Sequence, residues 1–382
     1  MNIAYYMPFK PLGHPTPSGD LILGTEIHRH LNLNGWQCRL ASRLRCRWIY
    51  LHPGKLTLLF RERRRILATL KNDKPDLWLS YHCYYKAPDL LGPWCASRLD
   101  IPYVIFQGIY STKRRRRLLT RPGFYLNRRA LLTARLVFTN KRRDEKNLLR
   151  LLPPDRVCYI PPGIHTADFT FDDLARTRWR SSWGVTAEVV IMAAAMFRPG
   201  VKSAGLRRVM ASCATLLQRG YPIRLVIVGD GRERHKLREY GHALLDERLT
   251  FCGQISRNEL AALYSGADIF AFPGIEESLG MVYLEAQSCG LPVVAYGDWG
   301  AAEAVVDGVT GLLSPAALPE RFTDNLQRLV EDASLRQRLG QQAADHVRAR
   351  HEIAPIYGEM TRRLESLIPR PPPAEDPSGR QR

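Results

Sequence analysis

The chain has 382 residues, too many for one ordinary core, so two domains are expected. Its 45% hydrophobic content is that of a globular protein, and no run of about 18 uncharged apolar residues appears, which excludes a membrane-spanning helix. Against 56 Lys+Arg stand 37 Asp+Glu, and residues 1–160 hold 30 of the bases and only 10 of the acids, so the whole positive excess belongs to the N-terminal half. Its densest runs are 61–65, 113–117 and 141–143. An excess confined to one half points to an anionic partner, with a merely solvated basic face as the bland alternative. Cysteines at 38, 46, 83, 95, 158, 213, 252 and 289 form no CxxC pair and no zinc-ligand spacing with His, so reduced thiols are expected. The start, Met1-Asn-Ile-Ala-Tyr-Tyr-Met-Pro, lacks the basic and apolar stretches of a signal peptide, and a cytoplasmic location follows as an expectation.

In chain order, residues 2–6 read as a strand and Pro8 to Gly19 as a Pro- and Gly-rich loop. The spacing of Leu23, Ile27 and Leu31 predicts a helix over 20–33, closed near Asn34-Gly35. Strands are expected at 36–40, 76–81, 102–107 and 136–139, with a helix near 88–98. Residues 157–163 close the first half at a Pro-Gly breaker. After a charged, less regular stretch at 168–184 the alternation restarts. Strands fall at 189–195, 223–229, 249–253, 268–272 and 292–296, with helices at 203–219, 232–240, 258–265 and around Glu285. The region 319–367 reads as largely helical, and the Pro-rich tail from 369 as disordered. Strands alternating with helices predict α/β architecture: two doubly wound Rossmann-like domains, with ligands at the carboxyl ends of the strands and a cleft as the default active site. The expected division is 1–167, a basic acceptor domain; 168–354, a nucleotide-sugar domain; 355–368, a helix packing back toward the first domain; and 369–382, a tail.

The stretch Ala271-Phe-Pro-Gly-Ile-Glu-Glu-Ser-Leu-Gly280 carries the chemistry. A strand gives way to a loop, and a helix then covers Met281–Ser288. Gly280 lets a ligand approach the backbone closely, and the amides of Gly280, Met281 and Val282 are helix N-terminal donors aimed where a phosphate would sit. Glu277 precedes those donors and Glu285 follows them by more than a turn, so the two acids suit groups on either side of a bound diphosphate. Further along come Glu285-Ala, Cys289-Gly-Leu-Pro-Val-Val, Gly300-Ala-Ala-Glu303 and Asp307-Gly-Val-Thr-Gly-Leu-Leu313, in one fixed order.

This series resembles the retaining glycosyltransferases of family 4, which have the GT-B fold. The resemblance is specific over 265–313 and looser over the rest. It implies that Glu277 contacts the hydroxyls of the transferred sugar, that Glu285 binds the ribose, and that Gly280, Met281 and Val282 bind phosphate. In the family's glycine-rich first loop, Pro17-Ser18-Gly19-Asp20 supplies only Gly19. The family's Arg and Lys after the first strand of the second domain correspond to Lys202 and, shifted by two, to Arg198, with Met196 at the arginine's usual position. Two such cations suit the charge that builds on the leaving phosphate. Gly229, in Gly229-Asp-Gly231, and Gly253, in Cys252-Gly-Gln-Ile255, fall near the nucleotide by the same resemblance. Arg234 stands where a dinucleotide fingerprint needs glycine. Many members carry a catalytic His where this chain has Gln107, and His82 or His14 stand as substitutes.

The expected function is therefore transfer of a sugar, with retention, from a UDP- or GDP-linked donor to an anionic glycan or lipid-linked acceptor. No other cofactor is expected, and no metal: no Asp-x-Asp lies at a strand end. The basic half suits a peripheral position on the inner face of an anionic membrane. Gln107 and Met196 keep a second reading open, a catalytically silent GT-B-like scaffold. A nucleic-acid partner is not expected, because the basic runs lack interleaved aromatics.

Overall fold

The computed structural model describes residues 1–15, 19–277 and 279–368. The expected first-loop residues Pro17 and Ser18, and the expected tail from 369, lie outside them. The chain divides into two compact units, one of Met1–Ile160 joined by the chain from Tyr357 onward, the other of Pro161–Ile356.

The first unit runs β1 (Asn2–Tyr6), α1 (Gly19–Leu33), β2 (Gln37–Ser42), α2 (Leu56–Lys71), β3 (Leu77–Cys83), α3 (Gly92–Leu99), β4 (Tyr103–Gly108), α4 (Arg121–Thr133), β5 (Leu136–Thr139), α5 (Arg142–Leu148) and β6 (Val157–Tyr159). Its strands form one parallel sheet in the order β2-β1-β3-β4-β5-β6. β3 and β4 are buried along their whole length, as central strands covered on both faces must be. α1 buries Leu23, Ile27 and Leu31 at the predicted spacing, and Gly35 closes it in the left-handed region at φ 81°.

The second unit runs α6 (Asp173–Ser182), β7 (Val189–Ala194), α7 (Val201–Gln218), β8 (Ile223–Val228), α8 (Arg234–Leu245), β9 (Leu249–Gly253), α9 (Arg257–Ser265), β10 (Ile269–Ala271), α10 (Met281–Ser288), β11 (Val293–Tyr296), β12 (Gly311–Ser314), α11 (Pro319–Glu331), α12 (Ala333–Arg350) and the start of α13 (Ile353–Glu365). Its parallel sheet is ordered β12-β11-β10-β7-β8-β9. Val190 to Ala193, Leu225 to Ile227 and Ile269 to Ala271 are fully buried at its centre, each aliphatic side chain contributing roughly 1.5–3 kcal/mol of burial. The linking segment belongs to this unit. Ile164 and residues 351–353 exchange backbone hydrogen bonds, Ile164 N to His351 O at 2.9 Å and Ile353 N to Ile164 O at 2.9 Å.

Three departures from the sequence expectations have local causes. The stretch 168–184 is not irregular throughout: α6 is capped by Asp172, whose side chain accepts from Ala175 N at 3.0 Å. Arg176 and Arg180 on that helix then clamp Asp268 at 2.6 and 2.8 Å, a tertiary partner that a local reading misses. The basic run at 61–65 lies inside α2, which buries only Leu59 and Ile66 and so shows little apolar periodicity. α8 starts two residues later than expected and runs on to Leu245. Among the described residues no helix is long and apolar enough to cross a membrane.

Candidate functional site

Both sheets reverse their strand order once, at β1/β3 in the first and β7/β10 in the second, and a crevice outside the carboxyl ends at such a point is where open α/β sheets take ligands. In the second unit the elements leaving these two strands carry the predicted residues. After β7 the chain passes Met196 and the exposed Arg198 and enters α7 at Gly200, at φ 90°, so that Lys202 stands in the first helical turn. After β10 a turn closes through Glu277 N to Gly274 O at 2.9 Å, with Gly274 and Glu276 at positive φ. Lys202 Nζ donates to Glu277 Oε2, and the ammonium also lies 5.2 Å from the Phe272 ring centroid. Both side chains of the pair are partly buried. The structure thus brings Lys202 and Glu277 together. Arg198 remains on the preceding loop, its carbonyl accepting from Ser203 Oγ at 2.6 Å.

α10 begins immediately beyond. Gly280 caps it in the left-handed region at φ 70°, and a Cβ there would lie 2.6 Å from Tyr283 and 2.8 Å from the Gly300 carbonyl. Among the described residues none accepts from the amides of Gly280, Met281 or Val282. These are the donors a helix leaves open at its N-terminus. Glu285 sits a turn further on and faces α9 instead of α7. It is 6% exposed, 3.4 Å from Arg257 Nη1 and 3.5 Å from the Tyr264 hydroxyl. Burial pushes its carboxyl up to about 7, and the Arg257 guanidinium and the Tyr264 hydroxyl only partly oppose this. Arg257 and Tyr264 escaped the sequence reading, because nothing in the spacing ties α9 to α10.

The turns after β8 and β9 complete this edge. A Cβ on Gly229 would come within 1.9 Å of the Ala195 carbonyl, and one on Gly231 within 2.6 Å of the Phe197 carbonyl. The glycines let three loops lace together, with Ala195 N to Val228 O at 3.0 Å, Phe197 N to Asp230 O at 2.9 Å and Gly229 N to Gly253 O at 2.8 Å. Gly229 and Gly253 are thereby neighbours on one rim.

In the first unit the equivalent edge is polar and strained. His82 at the end of β3 and Gln107 at the end of β4 both adopt positive φ, 62° and 61°, which non-glycine residues rarely do. Both approach Asp20 Oδ1 at 3.5 Å, from the first turn of α1, and Gly19 starts that helix. The distances are long for hydrogen bonds. The buried Gln107 Oε1, Thr139 Oγ1 and both side-chain polar atoms of Asn140 meet no partner among the described residues. Burial pushes the His82 imidazole below its ordinary pKa, an effect that Asp20 opposes and Lys141 and Lys10 reinforce. His82 therefore stays neutral at neutral pH. Thr139-Asn140 was missed at the sequence level, though two polar residues ending an apolar strand were the available signal. His14 stays on the first loop, its amide bonded to Pro11 O at 3.1 Å.

Residues 178–346 match the family described as glycosyl transferases group 1. The matched segment contains Lys202, Glu277, Gly280 and Glu285. The chain is 32% identical over 222 residues to D-inositol 3-phosphate glycosyltransferase of Corynebacterium efficiens, covering 54% of this chain and 52% of that one. It is 33% identical over 182 residues to a GDP-mannose-dependent alpha-(1-6)-phosphatidylinositol monomannoside mannosyltransferase of Mycolicibacterium smegmatis, covering 46% and 47%. The chain spans about half the length of these curated relatives. In fold it is similar to Anabaena HepE crystallised with UDP, with a TM-score of 0.76, 17% identity, and 96% and 100% of the two chains covered. The architecture is GT-B, as the sequence resemblance implied.

Proposed function

We propose that this protein transfers a sugar from a nucleoside-diphosphate donor, UDP- or GDP-linked, to a glycan or lipid-linked acceptor, with retention at the anomeric carbon. The observation that carries this reading is the Lys202–Glu277 pair at the strand-order reversal, beside an open helix N-terminus and with Glu285 on the far side. The amides of 280–282 and Lys202 take the diphosphate, and Arg198 assists from its loop. As the glycosidic bond breaks, charge builds on the leaving phosphate, where fixed dipoles and a preset ammonium stabilise it without reorganising. Glu277 accepts from the sugar hydroxyls and holds Lys202 in place, and Glu285 accepts from the ribose. With those cations in the role a metal otherwise fills, turnover survives chelation. The relatives' names support both candidate donors: the mycobacterial one uses GDP-mannose, and HepE was crystallised with UDP.

The first unit receives the acceptor. The buried polar atoms around Asp20, His82, Gln107 and Asn140 suit a hydroxyl-rich molecule, and the neutral His82 imidazole can accept a hydroxyl proton. The basic turn over Thr112–Arg116, with Leu118 and Leu119 exposed beside it, sets the enzyme on the cytoplasmic face of an anionic membrane. A thermal-shift panel of UDP- and GDP-sugars tests donor binding, since a bound ligand raises the melting temperature by mass action. Nuclear magnetic resonance of the product's anomeric proton then reads the configuration. Gln107 favours the second reading, a silent binding subunit. Donor stabilisation without turnover across a broad acceptor panel would establish that reading in place of the first.

A further inference from the structure

On the helical face of the first unit, α2, α3 and α4 enclose a cavity of about 460 Å³. It shares no residue with the strand-end group of Asp20, His82 and Gln107. One arginine from each helix lines it: Arg63, Arg98 and Arg129. Among the described residues no carboxylate forms an ion pair with any of the three. The one acid in the wall, Asp89, is buried and fully engaged. Its Oδ1 accepts from the amides of Leu91 and Gly92 at 2.9 and 2.8 Å, and its Oδ2 from the hydroxyls of Ser80 and Tyr103.

Two of the guanidiniums are held in place. Those of Arg63 and Arg98 stand 5.0 and 5.2 Å from the Trp94 ring centroid, and Arg63 also donates to the Leu90 carbonyl at 2.7 Å. Cation–π contact and the carbonyl restrain these side chains, and a guanidinium carries more N–H donors than the one contact uses. Three like charges against a low-dielectric wall repel one another, and a multivalent anion relieves that repulsion. Guanidinium forks match phosphate oxygens in pairs, which a point-like ammonium does not. The volume exceeds what inorganic phosphate fills and lies within the range of small-molecule sites, about 300–1,000 Å³. Ser97 and Thr133 add hydroxyls to the lining.

We propose that this cavity binds a phosphate monoester, with the phosphate on Arg63, Arg98 and Arg129 and a polyol body against Trp94, Ser97 and Thr133. Lys202, Glu277 and Glu285 take no part, so the site stands independently of the transfer reading. The ester has two sources, a free sugar phosphate or a lipid headgroup. Titration calorimetry of the full chain with hexose 6-phosphate, with short-chain phosphatidic acid below its micelle concentration, and with free hexose separates them. At least one ester binds saturably and the free hexose does not; the tighter ester identifies the source. Arg98→Glu and Arg129→Glu, both at exposed positions, each weaken binding by about tenfold or more with the circular dichroism spectrum unchanged. Arg63→Lys, which keeps charge but loses the fork, weakens it as well. The proposal is overturned by the absence of saturable binding to either ester. It is equally overturned if binding survives the Arg98→Glu/Arg129→Glu double reversal, since that affinity belongs to the basic surface at large.

Discussion

Lys202 Nζ donates to Glu277 Oε2 across the point where the second sheet reverses its strand order. The two residues are 75 positions apart in sequence, and the β7/β10 adjacency alone brings them together. In the proposed reading, each holds the other in place for a diphosphate sugar. Glu277→Gln keeps the shape but loses the charge, and Lys202→Ala removes the cation. Each is expected to lower kcat by about 10²–10³, the order of cost of losing one preset polar contact to the transition state. The double variant should lose far less than the product of the two, because the residues act as a unit. Steady-state kinetics with a matched donor and acceptor measure all three. Wild-type turnover in both single variants would remove this pair from the site.

Glu285 gives a pH signature. Its carboxyl is pushed up to about 7 from an ordinary 4.5, first by burial. Between these values the folded protein keeps a proton that the unfolded chain has lost. The stability it contributes therefore falls as pH rises through that window, by roughly 3 kcal/mol in all. Glu285→Gln should flatten this slope and melt higher than wild type at about pH 8. Ribose hydroxyls donating to the carboxylate favour its charged form, so donor affinity should rise from about pH 5.5 to 7.5 in the wild type and stay flat in the variant. Thermal shifts with and without donor across that range check both. A parallel pH profile in the two proteins would clear Glu285 of the role.

Much of this was legible in the sequence, for identifiable reasons. β7, β8 and β10 are apolar runs because both faces of the sheet are covered, and α10 is bracketed by Gly280 and by Cys289-Gly290. Glu277 and Glu285 could be read because one loop and one helix position both. The parts that were not legible depend on partners distant in sequence. α6 is held by Asp268, nearly ninety residues away, and α2 presents bases on nearly every side but the one carrying Leu59 and Ile66. The Arg257 and Tyr264 contacts that set the surroundings of Glu285 come from α9. In the first unit, His82 and Gln107 converge on Asp20 only because β3 and β4 are adjacent and α1 starts above them.

Gly280 separates conformational from chemical requirements. Alanine there must hold a left-handed backbone, at about 1–2 kcal/mol, and press on Tyr283 and the Gly300 carbonyl as well. Gly280→Ala should therefore destabilise the protein by more than that backbone cost, and should weaken donor binding because α10's first amides shift. By contrast Gly184→Ala, also at positive φ (64°) but with open space around its Cβ, should cost only the backbone part and leave donor binding intact. Chemical denaturation and donor thermal shifts of the two variants make the comparison. Equal stabilities would show that the packing around Gly280 yields freely.

The basic surface of the first unit ends in an apolar tip. A turn over Thr112–Arg116 places four bases in sequence, and Leu118 and Leu119 follow at 84% and 61% exposure. The segment is held firmly: the buried Thr120 hydroxyl donates to the Arg114 carbonyl at 2.7 Å, and the Arg114 guanidinium stands 4.5 Å from the Tyr85 ring centroid. Bases near an anionic leaflet contribute about 1 kcal/mol each, and a buried leucine roughly 1.5–3 kcal/mol. A basic cluster beside an apolar tip is a pairing of the two kinds of signal that peripheral membrane binding combines. Vesicles containing phosphatidylglycerol should sediment the protein at low salt and release it as ionic strength rises, while phosphatidylcholine vesicles should not. Leu118→Asp/Leu119→Asp should leave the salt dependence in place but reduce recovery, because it removes only the apolar part. Arg115→Glu/Arg116→Glu should flatten the salt dependence itself. Equal recovery on neutral and anionic vesicles would show that charge does not position this face, and recovery unchanged by the leucine substitutions would show that the tip does not enter the bilayer.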